Sequence, residues 1–139
     1  MRDKIFLDTN IIVYAYDKSA GEKHIQAKKI LMDLWESGYG VISIQVLKEF
    51  YMTVTQKIPN KMEKESASEI ISDFLNWEVV INDGQSILEA ISIQQKYVLS
   101  FWDALVVEAA LESGCSFLYT EDLNAGQKIK SIQIKNPFI

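Results

Sequence analysis

One cysteine, one histidine and one arginine stand in a chain of 139 residues, and each scarcity removes a class of function. Cys115 alone forms no internal disulfide, which fits a reducing compartment, and its setting between Gly114 and an apolar run suits a small buried residue rather than a nucleophile. His24 alone builds no histidine-dependent triad and no zinc site, and on a lysine-rich helix flank it reads as a surface residue. Glycine-rich phosphate loops of the GxxxxGKS/T or GxGxxG form are missing. No apolar run approaches the roughly 18 residues a membrane span needs. Met1-Arg2-Asp3-Lys4 leads straight into a strand without a signal-peptide core. The expectation is a soluble cytoplasmic protein with no membrane partner. Positive charge is scarce too. A net charge of −5 and a pI of about 4.9 argue against a broad basic surface for nucleic acid, although divalent cations held by carboxylates would offset part of the deficit.

With no repeat, low-complexity stretch or linker, residues 1–139 read as one domain. Helical patterns alternate with short apolar runs throughout. That alternation predicts an α/β fold, a three-layer α/β/α sandwich with a mostly parallel central sheet. The organising stretch is Ile5 to Ile12: an apolar strand runs into Asp8, then Thr9 and Asn10, the latter a good N-cap for a helix over Ile11 to Tyr16. Helices follow over Lys23 to Trp35, Gln45 to Gln56, Lys61 to Asn76, Asp83 to Lys96 and Ser100 to Glu112. Between and after them lie strands at Gly40 to Ser43, Val79 to Ile81, Ser116 to Thr120 and Gln127 to Ile134. Trp35, Trp77, Trp102, Phe50 and Phe74 sit mostly at core spacing, which speaks against base-stacking platforms. Lys57, Lys61, Lys64, Lys128, Lys130 and Lys135 suit solvated faces as well as a phosphate backbone.

Four acids stand where they could converge. Asp8 ends the first strand, at the rim where open α/β sheets bind ligands; its ordinary alternative is a turn or capping aspartate. Glu49 lies off the apolar stripe of its helix, as a solvated glutamate would. Asp103 opens a helix that is apolar almost all round. It shares a side with Val106, Val107 and Ala110, while Glu108 and Glu112 take the opposite, solvent-like side. As the acid of a Ser100-x-x-Asp103 capping box it also has a structural explanation. Asp122 follows the fourth strand beside Glu121, and the pair leaves open which side chain points into a site. Carboxylates gathered in one cleft repel each other unless cations intervene. An all-oxygen set without histidine or cysteine suits Mg²⁺ or Mn²⁺, and the chemistry it supports is phosphodiester hydrolysis. Asn10 and Thr120 are placed to hydrogen-bond and orient Asp8 and its neighbours.

The segments Phe6 to Asn10, Gln45 to Tyr51, Phe101 to Leu105, Leu118 to Leu123, Gly126-Gln127 and Asn136-Pro137-Phe138, in that order, give the chain its likeness. It resembles the PIN-domain ribonucleases, in particular the VapC-like toxin group. The resemblance implies a three-layer α/β/α fold, Mg²⁺ or Mn²⁺ dependence, endoribonuclease activity on an RNA substrate, a homodimer and a small cognate antitoxin. Asp8, Glu49, Asp103 and Asp122 match the family's acidic positions, with metal held chiefly by Asp8 and Asp103, and Thr120 matches a position that is usually a small hydroxyl residue. Two rival readings exist. One is a non-catalytic interaction or RNA-binding module on the same fold. The other is an aspartyl-phosphate phosphatase or receiver domain, for which Thr9-Asn10 lacks the usual second aspartate.

Overall fold

The computed structural model describes residues 3–139; Met1 and Arg2, the only arginine, lie outside them. The chain runs β1 (Ile5–Leu7), α1 (Thr9–Tyr16), α2 (Glu22–Ser37), β2 (Gly40–Ser43), α3 (Ile44–Gln56), α4 (Lys64–Phe74), β3 (Glu78–Val80), α5 (Gly84–Tyr97), α6 (Phe101–Glu112), β4 (Phe117–Tyr119), β5 (Lys128–Ile129) and β6 (Ile132–Lys135). One sheet takes all six strands in the order β3-β2-β1-β4-β6-β5, parallel except for the β5–β6 hairpin.

Phe6 and Leu7 are fully buried because β1 has strands on both edges and helices on both faces, which is why its sequence is apolar without alternation. From β1 the chain steps one way to β2 and β3, then crosses back to β4 on the other side of β1. Right-handed crossovers in opposite directions put their helices on opposite faces, so α1 to α4 cover one side and α5 and α6 the other. The α/β/α sandwich with a mostly parallel sheet is therefore the observed architecture. The order reverses between β1 and β4, the position where such sheets open a crevice at their carboxyl ends. Asp8 leaves β1 there, and its N–H donates to Tyr119 O at 3.0 Å.

Two glycines have structural reasons. Gly38 ends α2 in the left-handed conformation, at φ 78°. Gly40 starts β2 beneath the Trp77 ring, where a Cβ would come within 2.4 Å of Cζ3. Trp77 belongs to an aromatic group with Trp35, Phe74 and Phe50; the two phenylalanines are fully buried as the sequence indicates, Trp77 is half-buried, and Trp35, expected in the core, lies at the exposed edge of the group. Among the described residues no helix is long and apolar enough to cross a membrane.

Several expectations are corrected. The first helix starts at Thr9, and its N-cap is Asp8 rather than Asn10: Asp8 has extended backbone angles and its Oδ1 accepts the Thr9 N–H at 2.7 Å. Asn10 thus lies within the first turn. The helix expected from Lys61 begins at Lys64, because the Met62 N–H is drawn to Val54 O at 2.8 Å and holds the preceding segment against α3. The single strand expected over Gln127 to Ile134 is a hairpin, turned at Lys130 with φ 53°. The third strand ends at Val80 and leaves Ile81 exposed. Glu108, expected on a solvent side of α6, is 7 % exposed because α5 covers that face.

Candidate functional site

Thr120 is the knot of the site. It is fully buried just past β4, and its hydroxyl donates to Asp8 Oδ2 at 2.7 Å. The same oxygen accepts the Asp122 N–H at 3.1 Å and sits 3.4 Å from Asn10 Nδ2. Asn10 Nδ2 also donates to Asp122 Oδ2 at 2.9 Å. The β1 and β4 ends are therefore stitched side chain to side chain. Asp8, with one oxygen on Thr9 N–H and the other on the Thr120 hydroxyl, is held in one orientation.

The third carboxylate arrives from the opposite helical layer. Ser100 Oγ accepts the Asp103 N–H at 3.1 Å and so starts α6. The box closes on that side only: among the described residues, no bond returns from the Asp103 carboxylate to the cap. That carboxylate instead joins Asp8 and Asp122, each contributing one oxygen to a set whose members lie within 4.8 Å of one another. Of the four acids placed to converge, these three do. Glu49 is placed differently. It lines the same cleft, of about 430 Å³, but stands outside the close set, held by Gln45 Nε2 at 3.0 Å. Gln45 also reaches Trp102 O at 3.4 Å, which links α3 to the start of α6 across the cleft.

The pair that the sequence left open is resolved by charge. Glu121 turns away, accepting from Lys23 Nζ at 2.8 Å and from the Tyr14 hydroxyl. Partial burial raises the Glu121 carboxyl, but those two hydrogen bonds and the Lys23 charge outweigh it, so its pKa is lowered. Asp122 faces the cleft. Burial raises its pKa against the Asn10 hydrogen bond, and the charges of Asp103 and Glu121 add to the rise. The large shift is at Asp8. Burial pushes it up to about 6, against the Thr120 and Thr9 hydrogen bonds, with Asp122 and Glu49 adding repulsion.

Such a site is unfavourable as it stands and favourable around a cation. Three carboxylate oxygens at this spacing are a hard, all-oxygen donor set suited to Mg²⁺ or Mn²⁺. Thr9 Oγ1, Asn10 Oδ1 and Gln45 Oε1, on residues lining the cleft, are buried without a hydrogen-bond partner. The residues present fit a divalent ion. His24 lies elsewhere, its Nδ1 2.9 Å from Tyr14 O, and Cys115 is buried as expected.

Trp102 departs from the expectation of a core aromatic. It is 63 % exposed and lines the cleft, because the residue before Asp103 in the first turn of α6 points out over the rim. Of the lysines considered for a phosphate track, only Lys57 lines this cleft, together with Ile58 and Pro59 at the end of α3. Helical spacing identified the core stripe of α3, but it carried no signal that the chain after α3 bends over the site.

A family model of the PIN domain matches residues 5–128. No curated protein sequence matches the chain. Among solved structures, it is similar to FitAB bound to an IR36 DNA fragment, at TM-score 0.72 and 16% identity over 97% of this chain and 96% of that one. A toxin–antitoxin complex from Klebsiella pneumoniae gives TM-score 0.70 and 16% identity over 96% and 98%. The sarcin–ricin loop cleaving toxin VapC20 of Mycobacterium tuberculosis gives 0.62 and 19% over 86% and 90%. At these identities the likeness is one of fold. With the family match running from β1 into β5 and the acids of β1, α6 and the β4 end meeting in one cleft, the chain belongs to the PIN domain family.

Proposed function

We propose that the protein is a Mg²⁺- or Mn²⁺-dependent endoribonuclease, the toxin of a toxin–antitoxin pair. The observation that carries this reading is the convergence of Asp8, Asp103 and Asp122, from three separate elements, on one point of an open cleft. Asp8 and Asp103 would hold the ion, with Asp122 completing the set. A divalent ion, when bound, supplies the positive charge and Lewis acidity that phosphodiester hydrolysis requires.

The remaining roles fall to the chain's own groups. Thr9 N–H and the Thr120 hydroxyl fix Asp8, and Asn10 fixes Asp122, so the carboxylates are oriented before substrate arrives. Glu49, which lines the same cleft and is steadied by Gln45, would position water and accept its proton. Lys57, on the cleft wall, offers a charge to a neighbouring phosphate. VapBC from Salmonella typhimurium bound to DNA, at TM-score 0.66 and 21% identity, supports the antitoxin part of the reading, as do the FitAB and Klebsiella complexes. A homodimer working in the reducing cytoplasm, where Cys115 stays a thiol, completes the proposal.

The test uses protein freed of any partner. RNA cleavage with Mg²⁺ or Mn²⁺ is compared for the native chain, Asp8→Asn and Asp103→Asn. Loss of at least about a hundredfold in both variants supports the reading. Equal activity in all three overturns it. Calorimetry separates the rival of a non-catalytic module, for which millimolar metal would give no binding heat.

A further inference from the structure

A second group of acids lies on the α5–α6 face, away from the Asp8 cleft. Asp83, Glu89, Glu108 and Glu112 line a cleft of about 370 Å³ that also includes Lys130 of the β5–β6 turn. Glu108 differs from the other three. It is 7 % exposed, and its Oε1 is buried without a hydrogen-bond partner. Asp83 is engaged as the N-cap of α5, accepting from the Ser86 N–H at 2.9 Å and the Ser86 hydroxyl at 3.0 Å. Glu89 meets Gln85 at 3.5 Å. Lys130 does not neutralise the group: the ion pairs among the described residues are Lys4–Glu78 and Lys23–Glu121.

Burial, with the charges of Glu112, Glu89 and Asp83, pushes the Glu108 carboxyl up to about 7; the nearby Ser86 hydroxyl, whose proton goes to Asp83, offsets little of it. A buried carboxylate oxygen without a donor, facing like charges, has two defects that one cation carrying N–H groups removes.

The spacing selects the kind of cation. A bare divalent ion needs several oxygens converging on a point, and among the described residues only Asp8, Asp103 and Asp122 come that close. The four acids here are spread along two helices and share their walls with Ile93 and Leu111. A planar guanidinium reaches several separated carboxylates with its fan of donors, and its aliphatic stem lies against apolar side chains. The geometry points to a guanidinium-binding pocket between α5 and α6, anchored on Glu108, that takes an arginine side chain or a free alkylguanidine. It shares no lining residue with the Asp8 cleft and does not depend on the nuclease reading.

The experiment is an amide-shift NMR titration of the full chain at pH 8, with millimolar Mg²⁺ present to occupy the Asp8 cleft. The probes are Nα-acetylarginine methylamide, its lysine counterpart, agmatine and n-butylguanidinium. Saturable shifts in α5 and α6 are expected with all the guanidinium probes, with affinity at least about tenfold weaker for the lysine compound and in Glu108→Gln. Because agmatine carries a second positive charge, n-butylguanidinium serves as the singly charged reference: tighter binding of the acetylarginine probe than of this reference assigns the pocket to a residue in a peptide, and tighter binding of the reference assigns it to a free small molecule. Absence of saturable shifts, equal affinity in Glu108→Gln, equal binding of the lysine compound, or shifts produced there by Mg²⁺ alone would each overturn the proposal. Should Glu108→Gln not fold, the double variant Glu89→Gln, Glu112→Gln, at two exposed positions, carries the same comparison.

Discussion

Thr120 Oγ1 and Asp8 Oδ2, 112 residues apart in the chain, lie 2.7 Å from each other at the adjoining ends of β4 and β1. The hydroxyl lowers the Asp8 pKa and at the same time receives the Asp122 N–H, so one small side chain sets two of the three clustered carboxylates. Thr120→Val keeps the shape and removes both bonds. Mn²⁺ affinity, read by calorimetry, should fall by about 10- to 100-fold, and Thr120→Ser should recover most of it. A valine variant that binds as tightly as the native chain would remove Thr120 from the site.

The pH dependence of stability follows from Asp8. Its folded pKa is raised to about 6, mainly by burial, so the folded state holds the proton more tightly than the unfolded chain does. Its contribution is complete below the unfolded carboxylate range, near pH 4, and is lost as the pH rises through 6. In chelator, the native chain should therefore lose stability relative to Asp8→Asn between about pH 4 and pH 7. Adding Mn²⁺ at pH 8 should reverse the order, because the ionised carboxylate then has its counter-ion. Thermal melts of both proteins across this range, with and without metal, provide the check.

Glu108 behaves in the same sense on the other face of the sheet. Its folded pKa of about 7 means that its stabilising proton is present below the unfolded glutamate range and is lost as the pH rises through 7. Glu108→Gln should melt higher than the native chain at pH 8, and the gap should close toward pH 5. A variant less stable than the native chain at pH 8 would show the carboxylate to be satisfied in solution.

Neighbouring acids after β4 should differ sharply. Asp122→Asn should lower RNA cleavage by about tenfold or more. Glu121→Gln weakens contacts with Lys23 and with the cleft-wall residue Tyr14, but Glu121 itself does not line the cleft, and cleavage should stay within about twofold. Steady-state cleavage by both variants, at fixed Mn²⁺, tests the assignment; matching losses would mean that the β4 end is held by Glu121 and that its acids act as a unit.

Much of this arrangement is legible in the sequence. The apolar run into Asp8, the Ser100 cap ahead of Asp103 and the strand ahead of Asp122 each follow from local chemistry; four acids stood where they could converge, and the structure gathers three of them while Glu49 stays on the cleft wall. What local pattern hid was decided by contacts distant in sequence. Asp8 caps its own helix, displacing Asn10, because its carboxylate is already held by Thr120. Glu108 is buried because α5 packs over the side of α6 that Glu108 and Glu112 mark as polar, so the pattern pointed to solvent where a neighbouring helix lies. Glu121 and Asp122 were indistinguishable until Lys23 and Tyr14, nearly a hundred or more residues away, claimed one of them. Trp102 looks like core by composition and lies on the rim by helical phase.

Asp8 also closes the amino end of α1, and this bears on which inactive protein to build. A replacement at residue 8 that cannot cap frays a helix in the same stroke that empties the cleft, so its silence in an assay would confound poor folding with missing chemistry. Asp103 lends its side chain to no cap, because Ser100 performs that duty. For co-crystallisation that tests the proposed RNA substrate or antitoxin partner, Asp103→Asn is therefore the substitution expected to leave the scaffold intact.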